Sequence, residues 1–137
     1  VRLFRKSLVT ATATLAVLAG GAITASPASA AAYNGACGSG YGVVNSAHVP
    51  NNKGTVFLTY NYSNDYNCAV TVRNDPGTAL PMNVALRRAG DESSAKYDPG
   101  SYTTYSGPVY VYGNDTCMDW GGVIDGDQAV RYATNCS

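Results

Sequence analysis

The sequence is poor in charge, in large apolar side chains and in histidine. Charged residues make up 13% of its 137 positions, and it holds one Trp, two Phe, two Met and a single His, His48. It has no Cys-x-x-Cys pair, so with one His the ligand set of a structural zinc site is lacking. No Gly-x-Ser-x-Gly motif occurs, Gly38-Ser39-Gly40 is only a loop, and His48 has no Ser or Cys beside it in a nucleophile motif. Asp91 and Glu92 are adjacent in a turn, so their carboxylates point apart. Triads assemble from distant residues, but nothing here marks one. The chain is therefore expected to be non-enzymatic, with no cofactor and no metal. Helical periodicity is also missing after residue 30, which excludes a bundle.

Charge is absent altogether between Lys6 and Lys53. Before that gap stand Arg2, Arg5 and Lys6. Within it, Leu8, Val9, Leu15, Val17 and Leu18 sit among alanines and threonines, and the stretch closes on Ala28-Ser29-Ala30. A basic start, an apolar middle and a small-residue end are the parts of a cleavable secretory signal. A membrane anchor needs about 20 mostly apolar residues. Here Thr10, Thr12, Thr14, Gly20, Gly21, Thr24 and Pro27 dilute the run. Residues 1–30 are thus expected to be a signal peptide and residues 31–137 a single mature domain, secreted and without a membrane span.

The expected mature part carries six basic against nine acidic residues, a balance of −3. That sign disfavours nucleic acid and anionic membranes, which reward clustered positive charge. Arg87-Arg88 is the one basic pair and reads as a solvated strand end. All four cysteines, Cys37, Cys68, Cys117 and Cys136, fall in this part. An even number in a small exported domain reads as two disulfides. Three connectivities are open. The sequential one, Cys37–Cys68 with Cys117–Cys136, is favoured, since Cys117 and Cys136 fall on neighbouring candidate strands.

Alternation of apolar and polar residues runs through the mature part. Val56, Leu58, Tyr60 and Tyr62 share one face of a half-buried strand, with Phe57 on the other. Cys68, Val70 and Val72 alternate with Ala69, Thr71 and Arg73. Met82, Val84 and Leu86 alternate with Asn83, Ala85 and Arg87. Val109 and Val111 alternate with Tyr110 and Tyr112, and Val130 and Tyr132 with Ala129 and Arg131. Tyr41–Val49 makes a first strand, and residues 31–39 an extended arm. Turn signals separate these runs: Pro50–Gly54, Ser63-Asn64-Asp65, Asp75-Pro76-Gly77, Gly90–Ser94, Asp98-Pro99-Gly100, Gly113-Asn114-Asp115 and Gly121-Gly122. The pattern predicts an all-β domain, a small disulfide-stabilised antiparallel sandwich or barrel.

Two constellations stand out. The chain has 11 tyrosines, all after residue 30. Tyrosine offers an apolar face and a hydrogen-bonding tip, which suits sugar stacking or a contact surface. It is also simply a good strand residue, and most of the tyrosines read that way. Tyr102 and Tyr105, near turns, read as the exposed pair. Asp119-Trp120-Gly121-Gly122 with Asp125-Gly126-Asp127 puts three carboxylates near the one Trp. This reads either as a calcium or sugar loop or as a turn with Trp120 anchored in the core. A surface site would comprise Tyr102, Tyr105 and Trp120.

Several segments resemble the spore-associated protein A family of Streptomyces and related actinomycetes. They are Tyr33–Tyr41 (YNGACGSGY), Thr55–Tyr60, Asn67–Arg73, Pro76-Gly77-Thr78, Leu80-Pro81-Met82, Asp98–Gly100 with Tyr102–Tyr105, Gly107–Val111, and Cys117 with Asp119–Gly122. The resemblance spans nearly all the mature part and all four cysteines. It implies a protein found on or near spores and aerial hyphae; the expected partners are then components of the spore or cell envelope, polysaccharide among them. It supplies no catalytic residue and no ligand. A carbohydrate-binding module and a secreted protease inhibitor, presenting Thr78–Met82 as its loop, are the alternatives.

Overall fold

The computed structural model describes Leu3, Phe4 and residues 30–136. The expected signal peptide otherwise lies outside the described residues. Nine strands follow in order: β1 Gly42–Val49, β2 Gly54–Asn61, β3 Tyr66–Arg73, β4 Leu80–Arg88, β5 Lys96–Tyr97, β6 Gly100–Tyr102, β7 Tyr105–Tyr112, β8 Met118–Ile124 and β9 Asp127–Thr134. They form two antiparallel sheets. The first has the order β1-β2-β3-β7 and the second β5-β4-β8-β9, with β6 also pairing with β4. The fold is a sandwich, and the barrel alternative falls away.

The core lies between the sheets. Ala47, Val49, Val56, Leu58, Ala69, Val109 and Val111 from the first meet Met82, Val84, Leu86, Met118, Trp120, Ile124 and Ala129 from the second. On β2, β4 and β7 these residues follow the two-residue period of the sequence, because successive side chains leave a strand on opposite faces. On β3 and β9 the small residues Ala69 and Ala129 face the core instead, and Val70 and Val72 turn to the outer face.

Strand β2 departs from the half-buried expectation: Val56 and Leu58 are buried, and so are Thr55, Phe57 and Thr59 on the opposite face. The segment before β1 explains this. Ala31, Tyr33 and Ala36 pack on a second cluster made of Phe57, Val70 and Val72. The Tyr33 ring meets Phe57 at 5.8 Å. Cys37 is bonded to Cys68, Tyr110 Oη donates to the Cys37 carbonyl at 2.9 Å, and Ala31 N donates to Asn74 Oδ1 at 2.8 Å. The arm is a lid held on the outer face of the first sheet.

The second disulfide joins Cys117 to Cys136, so the favoured connectivity holds. The two cysteines flank the β8–β9 hairpin rather than lying within its strands.

Gly121-Gly122 does not make a turn. Both glycines lie inside β8, and the hairpin turns at Asp125 (φ 47°) and Gly126 (φ 83°). Two positive φ values in a two-residue loop suit the right-handed strand twist. A Cβ on Gly122 would collide with Thr71 Oγ1 and come 2.8 Å from Val56 Cγ2. The glycine is there because the two sheets approach closely, not because the chain bends. Gly122→Ala should therefore destabilise the domain by roughly 1–3 kcal/mol through overpacking, measurable as a lower urea midpoint.

The Thr78–Met82 connection is not a presented loop. Leu80, Pro81 and Met82 are already in β4, opposite Tyr102, Ser101 and Gly100 of β6. Arg73 Nη1 donates to the carbonyl oxygens of Thr78, Tyr102 and Thr103 at 2.9–3.1 Å, which ties the neighbouring loops down.

The outer strands are irregular. The register shifts between Val43 and Asn45 on β1, between Ala69 and Thr71 opposite β7, and between Met118 and Trp120 opposite β9. β5 and β6 form one interrupted margin beside β4, broken at Asp98-Pro99.

Candidate functional site

The three residues expected to form a surface site do not share a surface. Trp120 is completely buried, and its Nε1 donates to Thr134 Oγ1 at 2.8 Å. Its place opposite Leu86 and Arg131 on the central strand β8 makes it the core anchor and removes it from any stacking strip. Tyr102 is half-buried against the core, and its hydroxyl donates to Asp98 Oδ1 at 2.7 Å. That hydrogen bond, with burial, raises its pKa. Tyr105 is exposed, as expected.

The carboxylates around Trp120 have other tasks. Asp119 is buried, takes Arg87 Nε at 2.8 Å, and accepts from the backbone N–H groups of Gly90 and Ala133. Asp125 and Asp127 both pair with Lys53. Among the described residues no three His, Cys, Asp or Glu side chains converge. Arg87 is not the solvated strand end expected of the basic pair. Its side chain is only 13% exposed and bridges Asp119 and Glu92. Burial works against its charge, but the hydrogen bonds to those two carboxylates outweigh it and raise the pKa further. Arg88, by contrast, is a half-exposed partner of Asp91.

Tyrosine is where the surface differs most from expectation. None of the 11 tyrosines is buried. Tyr62, Tyr66, Tyr97, Tyr105, Tyr110, Tyr112 and Tyr132 are exposed. Alternation on β7 sends Val109 and Val111 inward, which sends Tyr110 and Tyr112 out. Tyr66 stands directly opposite Tyr112 in the β3–β7 register, and their rings meet edge to face at 5.6 Å. Tyr41 meets Tyr110 in the same way at 5.5 Å. At the end of the sheet Tyr60 and Tyr62 pack at 4.8 Å, nearly perpendicular. Edge-to-face contact is the favoured geometry for aromatic rings.

Tyr60 donates its hydroxyl to Asp65 Oδ1 at 2.7 Å. That bond, reinforced by burial, the Asp65 charge and the nearby Tyr112 and Tyr62 phenols, pushes its pKa up to about 12. A hydrogen bond made by the neutral form opposes ionisation. Tyr41, Tyr66, Tyr110 and Tyr112 thus form a tyrosine-rich patch on the outer face of the first sheet, while Tyr60 and Tyr62 lie at the end of β2 on the core side, beside Val44 and Asn135. A spectrophotometric alkaline titration should show a tyrosinate step at about 12 that Tyr60→Phe removes. The linked stabilisation is complete below the ordinary tyrosine value of about 10. It is lost as pH rises through the folded-state value.

A second aromatic group lies on the second sheet. Phe4, which belongs to the expected signal peptide and would leave with it, contacts Tyr97 and Tyr132, and the Arg87 guanidinium lies 4.1 Å from its ring centroid. Sequence reasoning missed both groups. The cue was present on β7, where the valines had to face inward, but β3 and the β2–β3 turn needed the sheet order.

The chain is 47% identical to spore-associated protein A of Streptomyces coelicolor, over 93% of this chain and 85% of that protein. The chain belongs to the spore-associated protein A family. No family model matches the chain, and no solved structure matches it. Membership agrees with the segments quoted from the sequence. Among the described residues no helix is long and apolar enough to cross a membrane.

Proposed function

We propose that the protein is a secreted, non-enzymatic component of the spore or aerial-hypha surface, adhering through its tyrosine-rich face. The observation that carries this reading is the outward display of tyrosine: four of them, Tyr41, Tyr66, Tyr110 and Tyr112, gather on the outer face of the first sheet. Rings with an apolar face and a polar tip can hold a partly hydrated surface without a deep pocket. The two disulfides suit an oxidising exterior. The name of the Streptomyces coelicolor relative supplies the setting.

The partner's chemistry is envelope polysaccharide, whose sugar faces stack on phenol rings. The strip that binds it is Tyr66, Tyr110 and Tyr112, in place of one containing Trp120. Leu80–Met82 is engaged in β4, which leaves nothing in the structure to favour a protease-inhibitor loop.

The test is fractionation of sporulating cultures. The parent protein is expected on washed spores and on chitin or peptidoglycan beads. A Tyr66→Ser, Tyr112→Ser variant that keeps the parent's urea midpoint should shift to the medium. Equal retention of both proteins, or none of the parent on washed spores, would defeat the proposal.

A further inference from the structure

We propose that Tyr62 is a modification site, where two copies of the chain become joined by oxidative coupling of their phenol rings, with hydrogen peroxide and a haem peroxidase as oxidant. The carrying observation is accessibility. Tyr62 is 82% exposed, whereas the other exposed tyrosines lie between 38% and 43%. Coupling two folded chains requires the ring edges of both to meet, so it selects the ring that projects furthest. Tyr62 follows the last residue of β2 and stands on the β2–β3 turn, beyond the end of the sheet.

The second observation is what lies beneath it. The Tyr60 ring packs against Tyr62 at 4.8 Å, and the Tyr60 hydroxyl donates to Asp65 Oδ1 at 2.7 Å. A phenol that loses an electron becomes a strong acid. A phenol already bonded to a carboxylate can release its proton in the same step. Tyr60 with Asp65 is therefore a positioning pair that eases removal of the electron. Ring contact then passes the oxidised state to Tyr62: Tyr60 takes an electron from Tyr62 and its proton back from Asp65, and the exposed Tyr62 hydroxyl releases its own proton to water. Tyr60 is itself half-buried and bonded through its oxygen, so it does not reach a second chain.

The step balances. Each chain loses one electron and one proton from a phenol. The two radicals form a carbon–carbon bond between ring positions ortho to oxygen, and the two displaced ring hydrogens move to the oxygens, restoring both phenols. Peroxide takes up the two electrons and two protons and becomes two waters.

The inference does not depend on attachment to spores, because it is tested on purified exported protein in solution. That protein, disulfides intact, is treated with a haem peroxidase and hydrogen peroxide. Covalent dimer is read on reducing denaturing gels, and the linked peptide is located by mass spectrometry. The expected result is a dityrosine linkage between two Tyr62 residues. Tyr62→Phe should lose most of the dimer, and Tyr105→Phe should lose none. Asp65→Asn should slow dimer formation without moving the linkage. Since Tyr62 is on the surface, its variant should keep the parent's urea midpoint. Undiminished dimer from Tyr62→Phe, linkage at other tyrosines, or linkage only between Tyr60 and Tyr62 of one chain would overturn the proposal.

Discussion

Asp119→Ala is expected to lower stability by about 3–5 kcal/mol, the usual cost of leaving one member of a buried ion pair alone. Asp119 is 2% exposed, and Arg87 meets it through Nε at 2.8 Å. Removing the carboxylate strands a guanidinium that Glu92, at the surface, only partly balances. It also takes the acceptor from the Gly90 and Ala133 N–H groups. Replacing both partners with apolar residues, as in Arg87→Met with Asp119→Leu, should recover part of the loss. The recovery stays incomplete because those two backbone donors remain without their acceptor, at roughly 1–3 kcal/mol each if they stay dry. Urea denaturation of the two variants decides the matter. A single variant as stable as the parent would show that the pair contributes nothing.

The second large effect concerns the arm. Converting Cys37 and Cys68 to alanine should cost more than converting Cys117 and Cys136. The loop separations are 31 and 19 residues. On chain entropy alone the two bonds differ little, at about 3–4 kcal/mol each. The difference comes from packing. Without its staple the arm can lift from Phe57, Val70 and Val72, and each such side chain gives up as much as ~1.5–3 kcal/mol when uncovered. Amide exchange in β2 and β3 should accelerate in the arm variant and stay near the parent's rate in the hairpin variant. Equal destabilisation by the two double substitutions would mean that the arm is held without its disulfide.

The arm also shows where the sequence stops being legible. Strand existence follows from alternation, and so do the inward faces of β2 and β4, with Val56, Leu58, Val84 and Leu86; on β3 the more apolar face, with Val70 and Val72, lies under the arm instead. The pairing of Cys117 with Cys136 follows from the adjacency of β8 and β9, although both cysteines stand just outside those strands. Covering of the outer face could not be foreseen, because a stretch of alanine, glycine and asparagine carries no period. Gly121-Gly122 misled for a related reason. Glycine marks a bend and a close approach with the same letter, and only Thr71 and Val56 on the facing sheet tell them apart. Trp120 beside three aspartates had two readings. Burial chose the core, and Arg87 and Lys53 took the carboxylates. The tyrosine surface needed the order β2-β3-β7, which joins residues distant in sequence.

The broken outer strands limit how this protein can be held. Each of the three long margins carries its extra residue on the outermost strand, at β1, β7 and β9. The fourth margin is split between β5 and β6. Such margins are poor templates for another chain's backbone. Copies crowded into a dense layer would then stay discrete rather than grow into fibres by strand addition. Any cohesion in that layer has to come from side chains, and the side chains most on offer are tyrosines.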